Sequence, residues 1–239
     1  MNLEQVRAWV REAGRIVLLS GAGMSAESGV PTFRDAQTGL WAKSRPEDLA
    51  TEEAFRARPG MVWDWYALRR EMVAGVAPNA GHVAVADFQR RHPGRLTVVT
   101  QNVDGLHQRA GSPEVLALHG NIAEDRWLDA PQACCTAQAP VPGRPPRCGT
   151  CGNLRRPAVV WFGEMLPARE LAAAEEASAA CDLMLVVGTS GLVYPAAGQA
   201  RSTRGRVVIL NPEPTGLDDV ADAVLVGTSA ALLPPLLED

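Results

Sequence analysis

At 239 residues, with 46% hydrophobic and 21% charged side chains, the chain has the size and composition of one α/β domain with a small insertion, which excludes a disordered or fibrous architecture. A net charge of −4 gives no basic field to hold a phosphate backbone, so nucleic acid is not an expected partner. No apolar run reaches the ~18 residues of a membrane span and the amphipathic N-terminus is not a signal peptide, so a cytoplasmic protein without a membrane partner is expected.

In chain order, apolar runs rich in β-branched residues recur at 16–19, 96–99, 115–118, 183–187, 207–210 and 223–226, and read as buried parallel strands. Helical segments lie between most of them, at 61–73, 80–91 and 168–180. The alternation is that of an α/β fold built on an open, doubly wound, Rossmann-like parallel sheet. Residues 31–59 are rich in turn formers and read as a loop with short helices over a site. Residues 121–157 hold six prolines and four cysteines with little apolar periodicity, so they need a staple to form a unit. The expected organisation is a single catalytic domain over 1–239, with a core from about 1–30, 75–120 and 158–239. Insertions at about 31–74 and 121–157 form a small zinc-ribbon-like and helical module.

Chemistry-bearing residues cluster at strand ends. The run IVLLSGAGMSA places Gly21, Ala22 and Gly23 after the first strand, where bare backbone can approach a pyrophosphate and N–H groups can donate to it. Alone, this G-x-G-x-x-A pattern is also an ordinary tight turn. The acidic residue expected ~20 positions later is missing, since Trp41 and Ala42 stand there; an ordinary Rossmann dehydrogenase is therefore disfavoured, although a dinucleotide is not. Asn102 and Asp104 follow the second strand, Gly188, Thr189 and Ser190 the fourth, and Asn211 the fifth. Each reads either as a turn or cap, or as a ligand group for phosphate, ribose or amide.

His119 ends a strand and precedes Gly120, so its ring can face a cleft, and an imidazole titrating near neutrality suits a general base. His82 and His92 read as solvated or structural, and His107 as part of a pocket floor. Tyr66 and Arg69, three apart, share a helix face. That face is either plain apolar packing with Trp63 and the Arg70 stem, or a carboxylate site, for which the planar guanidinium is well suited. Cys134, Cys135, Cys148 and Cys151 fall within eighteen positions and point to metal before disulfide, while Cys181 stands alone.

GAGMSAESGVPTFRD resembles the signature of the sirtuin family. QNVDGLHQRAG at 101–111, LHG at 118–120, VVWFGE at 159–164, VVGTS at 186–190 and ILNPE at 209–213 follow in the family's order, over nearly the whole length. The chain is thereby identified as a sirtuin, which implies NAD consumed as co-substrate and acylated-lysine proteins bound as extended peptides.

The resemblance also implies roles. Gly21, Ala22, Gly23, Phe33, Arg34, Gln101, Asn102, Asp104, Gly188, Thr189, Ser190 and Asn211 would contact NAD, with Asn102 also catalytic at the nicotinamide end. Ser229, in GTSAALLP, would lie at the adenine side, although alanine is more usual there. His119 would be the base, and Val160, Trp161, Phe162 and Gly163 would pair with the peptide. The implied chemistry is attack of the acyl oxygen on C1′ of the nicotinamide ribose, release of nicotinamide, and transfer of the acyl group to ADP-ribose.

The family's class III branch carries Y-x-x-R, matched by Tyr66 and Arg69, whose partners are the distal carboxylates of succinyl- and malonyl-lysine. A desuccinylase and demalonylase that also removes acetyl groups is therefore expected. A plain deacetylase, a mono-ADP-ribosyltransferase and a nonenzymatic NAD-sensing module are the rivals. Sirtuins also hold structural zinc with two Cys-x-x-Cys pairs. Cys148 and Cys151 match the second, but Trp127 stands where the first pair should begin, and only Cys134 and Cys135 are near. Zinc held by all four, zinc held by three with another ligand, and no metal all stay open.

Overall fold

The runs at Ile16–Ser20 (β1) and Leu183–Val187 (β6) are buried at every residue, as strands covered on both faces must be. The computed structural model describes residues 2–31 and 49–238. Between those strands lie Leu96–Thr100 (β2), Val115–Ala117 (β3), Gly120–Trp127 (β4) and Arg155–Val159 (β5), and Arg206–Asn211 (β7) and Ala223–Val226 (β8) follow. Six of them form one parallel sheet in the order β3-β2-β1-β6-β7-β8, while β4 and β5 pair antiparallel in a separate ribbon. The expected α/β class with a doubly wound parallel sheet and a small inserted unit is thus the observed one.

Strand alternation divides the core into two layers. Ile16, Leu18, Val98, Leu185 and Val208 face one side, where Leu3–Glu12 (α1), Ala80–Arg91 (α4) and Ser229–Leu237 (α9) pack. Val17, Leu19, Val99, Val186 and Ile209 face the other, covered by Ala168–Ala180 (α7) and Gly198–Ser202 (α8). Start signals are chemical: Asn2 accepts from the Gln5 amide to open α1, and Thr228 accepts from the Ala231 amide to open α9.

A third apolar cluster joins Glu52–Ala57 (α2) and Pro59–Ala74 (α3) to the β4–β5 ribbon through Phe55, Val62, Trp65, Tyr66, Ile122 and Trp161. Pro59 at the first position of α3 fits a helix start, where its missing N–H costs nothing. Arg70 fastens α3 to β4 by donating to the Ile122 carbonyl at 2.6 Å and pairing with Asp125. The short helices Leu106–Arg109 (α5) and Ala133–Ala137 (α6) complete the elements that matter here.

Candidate active site

The chain runs from β1 outward to β2 and β3, then returns to β6 and runs outward through β7 and β8, so the switch point lies between the carboxyl ends of β1 and β6. Two turns meet there backbone to backbone. Gly21 N–H donates to the Val187 carbonyl at 3.0 Å and Gly23 N–H to the Gly188 carbonyl at 2.8 Å. Gly188 has φ +59°, and a Cβ added there would sit 2.3 Å from the Met24 nitrogen, so only glycine fits. Ala22, Gly23, Gly188 and Ser190 remain part-exposed along the crevice, the bare-backbone cradle a dinucleotide diphosphate needs.

Thr189 is buried, its hydroxyl accepting from the Gln101 amide and the Gly191 N–H, both at 3.3 Å. Asn211 closes β7 and donates to the Glu213 carbonyl at 2.6 Å. Ser229 is buried and donates to the Met24 carbonyl at 3.0 Å, so its hydroxyl ties α9 to the glycine turn. Phe33 and Arg34 lie outside the described residues.

Beside the turn is a polar network that the sequence reading did not assemble. Asp104 is buried; one carboxylate oxygen accepts from the Leu106 N–H at 2.9 Å and the other from the Ser25 hydroxyl at 2.7 Å. Ser25 Oγ in turn accepts from the Asn102 side-chain amide at 3.1 Å and faces His82 Nε2 at 3.5 Å. His82 Nδ1 accepts from the Asn79 N–H at 3.3 Å, which leaves the ring proton on Nε2, directed at Ser25.

His82, expected to be solvated or structural, is fully buried, and desolvation pushes its pKa down to about 4. His107 lies beneath it, ring centroids 4.9 Å apart, with Nε2 3.0 Å from Ser20 Oγ. Burial and then the neighbouring His82 lower its pKa to about 3. Burial likewise raises the Asp104 pKa, an effect its amide and hydroxyl donors oppose. The recoverable signal was the N-x-x-H pattern from Asn79 to His82, a capping box in which histidine replaces the usual acid.

His119 sits between β3 and β4. Its Nδ1 is 2.8 Å from the Gln101 carbonyl, and the Val160 N–H donates to its own carbonyl at 2.9 Å. Gly120 follows with φ +81°, where a Cβ would lie 2.1 Å from the Ala158 carbonyl oxygen, so the ribbon can approach the histidine only at glycine. Desolvation lowers the His119 pKa, against the raising effect of the Gln101 carbonyl, and holds the ring neutral at physiological pH.

On α3, Tyr66 is buried and Arg69 half-buried with its guanidinium stacked on Trp65 at 5.0 Å. Burial lowers the Arg69 pKa and raises that of Tyr66 to about 12, so the phenol stays protonated. The Trp161 indole N–H donates to the Tyr66 hydroxyl at 2.9 Å.

The segment expected to pair with the peptide, Val160 to Gly163, lies beyond the end of β5 at Val159. The Val160 amide is taken by His119, the Trp161 amide by the Glu164 carboxylate at 2.8 Å, and the Phe162 amide by the Ala50 carbonyl at 2.9 Å. Phe162 and Gly163 are exposed beyond this turn. The physical cause is Glu164, which is bound by Arg156 and Arg126 and reaches back to cap the Trp161 N–H.

Far along the ribbon, Cys134 and Cys135 on α6 meet Cys148 and Cys151, with all four Sγ atoms within 4.8 Å of one another. Tetrahedral ligation at the zinc–sulfur bond length puts sulfurs about 3.8 Å apart, close to this spacing. Hydrogen bonding to Cys151 raises the Cys134 pKa to about 12, while the backbone N–H groups of Cys151 and Thr150 lower that of Cys148 to about 7. Four crowded thiols cannot all ionise without a cation, so this donor set fits a structural zinc. Adjacent cysteines converge because bridges pairing Val141 with Arg147 and Arg147 with Leu154 fold the second pair back onto α6.

The model of the Sir2 family matches residues 21–195. An NAD-dependent protein deacylase of Ralstonia nicotianae is 56% identical over 236 residues, spanning 98% of this chain and 95% of that protein. A crystal structure of a SIR2 homolog–NAD complex is similar with a TM-score of 0.87 at 40% identity, covering 98% of this chain and 92% of that one. A Sir2–p53 peptide–NAD+ structure follows at a TM-score of 0.82 and 30% identity, covering 99% and 98%. Among the described residues no helix is long and apolar enough to cross a membrane. Since a switch-point cradle fit for a dinucleotide coincides with family likeness over nearly the whole length, this chain belongs to the Sir2 family and is an NAD-dependent protein deacylase.

Proposed function

We propose that the enzyme removes acyl groups ending in a carboxylate, succinyl and malonyl, from protein lysines, together with acetyl. The observation that carries this reading is the pairing on one face of α3 of a protonated, buried phenol at Tyr66 with a desolvated guanidinium at Arg69. Such a pair offers an O–H donor and a planar cation to a carboxylate, and offers an acetyl methyl group nothing equivalent. The match to the class III Y-x-x-R motif supports it.

In this reading Gly21, Ala22, Gly23, Gly188, Thr189, Ser190, Asn211 and Ser229 hold NAD along the crevice, joined by Phe33 and Arg34 from outside the described residues. Asn102, Gln101 and Asp104 orient its nicotinamide end. Bound NAD supplies the electrophilic ribose carbon and a leaving nicotinamide, and carries the acyl group away on ADP-ribose. His119 takes a proton from a ribose hydroxyl with Nε2, since Nδ1 is committed to the Gln101 carbonyl.

Val160, Trp161, Phe162 and Gly163 receive the substrate as an extended peptide. Because three of these amides are engaged within the chain, main-chain pairing falls to carbonyl groups of the segment and to the Gly163 amide. The p53-peptide complex of the relative supports a peptide in this cleft. Residues 1–239 act as one catalytic domain, with the segments at about 31–74 and 121–157 forming the small module and the four cysteines holding zinc as a structural staple.

The test is a panel of acetyl, malonyl, succinyl and glutaryl peptides incubated with NAD and followed by mass spectrometry. The expected result is higher kcat/KM for the carboxylate-bearing acyl groups, with nicotinamide released only when acyl-peptide is present. Preference for the acetyl peptide would return the enzyme to the plain deacetylases.

A further inference from the structure

Trp161 is 2% exposed and its ring is held on several sides. The Arg156 guanidinium carbon lies 3.2 Å from the ring centroid, Phe55 packs with centroids 5.2 Å apart, and the backbone N–H is fixed by Glu164. Arg156, 1% exposed, is itself clamped to the same Glu164 and to the Val159 carbonyl at 2.8 Å. The indole therefore cannot turn, and its single N–H has one direction, toward the Tyr66 oxygen at 2.9 Å.

An indole N–H only donates, so this bond occupies a lone pair of the phenol oxygen. Among the described residues, no other hydrogen-bond partner of that hydroxyl is found. The phenolic proton is thus left to donate away from Trp161, and donation into the oxygen polarises the O–H that remains.

We propose that Trp161 is a positioning residue for acyl specificity: by fixing the Tyr66 hydroxyl as an outward donor, its side chain aims that proton at the distal carboxylate of the acyl group. This goes beyond main-chain contact of Trp161 with the peptide, and it rests on the carboxylate-acyl reading above. The pair of buried Arg156 with part-exposed Glu164 acts through Trp161, keeping the indole in the one orientation that serves Tyr66.

The test measures the ratio of kcat/KM for matched succinyl and acetyl peptides in Trp161→Phe, Tyr66→Phe, the double variant and Arg69→Met. Trp161→Phe keeps a ring on Arg156 but removes the N–H, and is expected to lower the ratio about fivefold, the scale of one hydrogen bond. In the Tyr66→Phe background the same change is expected to leave the ratio where it stands. If Trp161→Phe does not fold, replacement of Trp161 by benzothienylalanine, which keeps the ring and substitutes sulfur for N–H, gives the same readout.

An unchanged ratio in the tryptophan variant, or an equal fall with and without the Tyr66 hydroxyl, overturns the proposal. If Arg69→Met still lowers the ratio in that case, the carboxylate-acyl reading survives it. If Arg69→Met leaves the ratio unchanged, that reading fails and takes the proposal with it.

Discussion

His119 Nδ1 and the Gln101 carbonyl oxygen are 2.8 Å apart, and because a carbonyl only accepts, the neutral ring keeps its proton on Nδ1 and its lone pair on Nε2. A base already in the right tautomer needs no rearrangement before it acts. His119→Ala is expected to lower deacylation by about 10²–10⁴-fold while NAD binding, followed by calorimetry, is retained. The pH profile carries a second check. Burial disfavours the imidazolium, so the acid limb of kcat/KM should lie below the ordinary histidine value of 6.5, and a limb above that value would remove His119 as the base.

Arg69→Met removes the cation of the acyl pocket but keeps an apolar stem. Losing one side of a charge-assisted pair costs ~2–5 kcal/mol, so the succinyl-to-acetyl ratio of kcat/KM should fall on the order of 10²-fold. Because the ratio cancels effects common to both peptides, an equal loss on each would assign Arg69 to support of α3 instead.

Purified protein is expected to carry about one equivalent of zinc, read by elemental analysis. Cys148→Ser should lose the metal together with thermal stability, because ligation is folding energy for a segment with so little apolar content. Metal-free protein of undiminished stability would leave the module to its proline-rich packing.

The two buried histidines make stability depend on pH. His82 and His107 are held neutral in the fold with pKa values lowered to about 4 and about 3, against an ordinary 6.5 in the unfolded chain. The unfolded state therefore binds more protons as pH falls below 6.5, so their contribution is fully present above that value and is lost progressively on acidification. At about 1.4 kcal/mol per pH unit for each ring, the pair should cost about 4 kcal/mol of stability by pH 5. Urea unfolding at pH 7.5 and pH 5 measures the loss. Equal midpoints would mean that the rings are charged or solvated in the fold.

The sheet was legible because its strands carry their own signal: a parallel strand buried on both faces reads as an unbroken apolar run, as at Leu183–Val187. The glycine turns were legible because bare backbone at a switch point has few other uses. The Ser25–Asp104–His82 network was not, since Ser25 stands 57 positions from His82 and 79 from Asp104, and the three meet only when the sheet brings strand ends together. The end of β5 was hidden for a similar reason, as the VVWFGE run has strand composition while Glu164 turns it by capping Trp161. Adjacent cysteines gave no geometry by themselves, and it took the bridges at Val141, Arg147 and Leu154 to set the two pairs together.

The contact of Gly23 with Gly188 has a consequence for biosynthesis. The two halves of the NAD cradle are written far apart along the chain, and β1 enters the sheet between β2 and β6. A nascent chain that has not yet delivered Leu183–Val187 leaves one flank of β1 uncovered and has no Gly188 to complete the turn. Its first half therefore cannot borrow stability from the ligand while translation proceeds. NAD can reward only the nearly finished polypeptide, and pairings this distant in sequence are those that slow folding most.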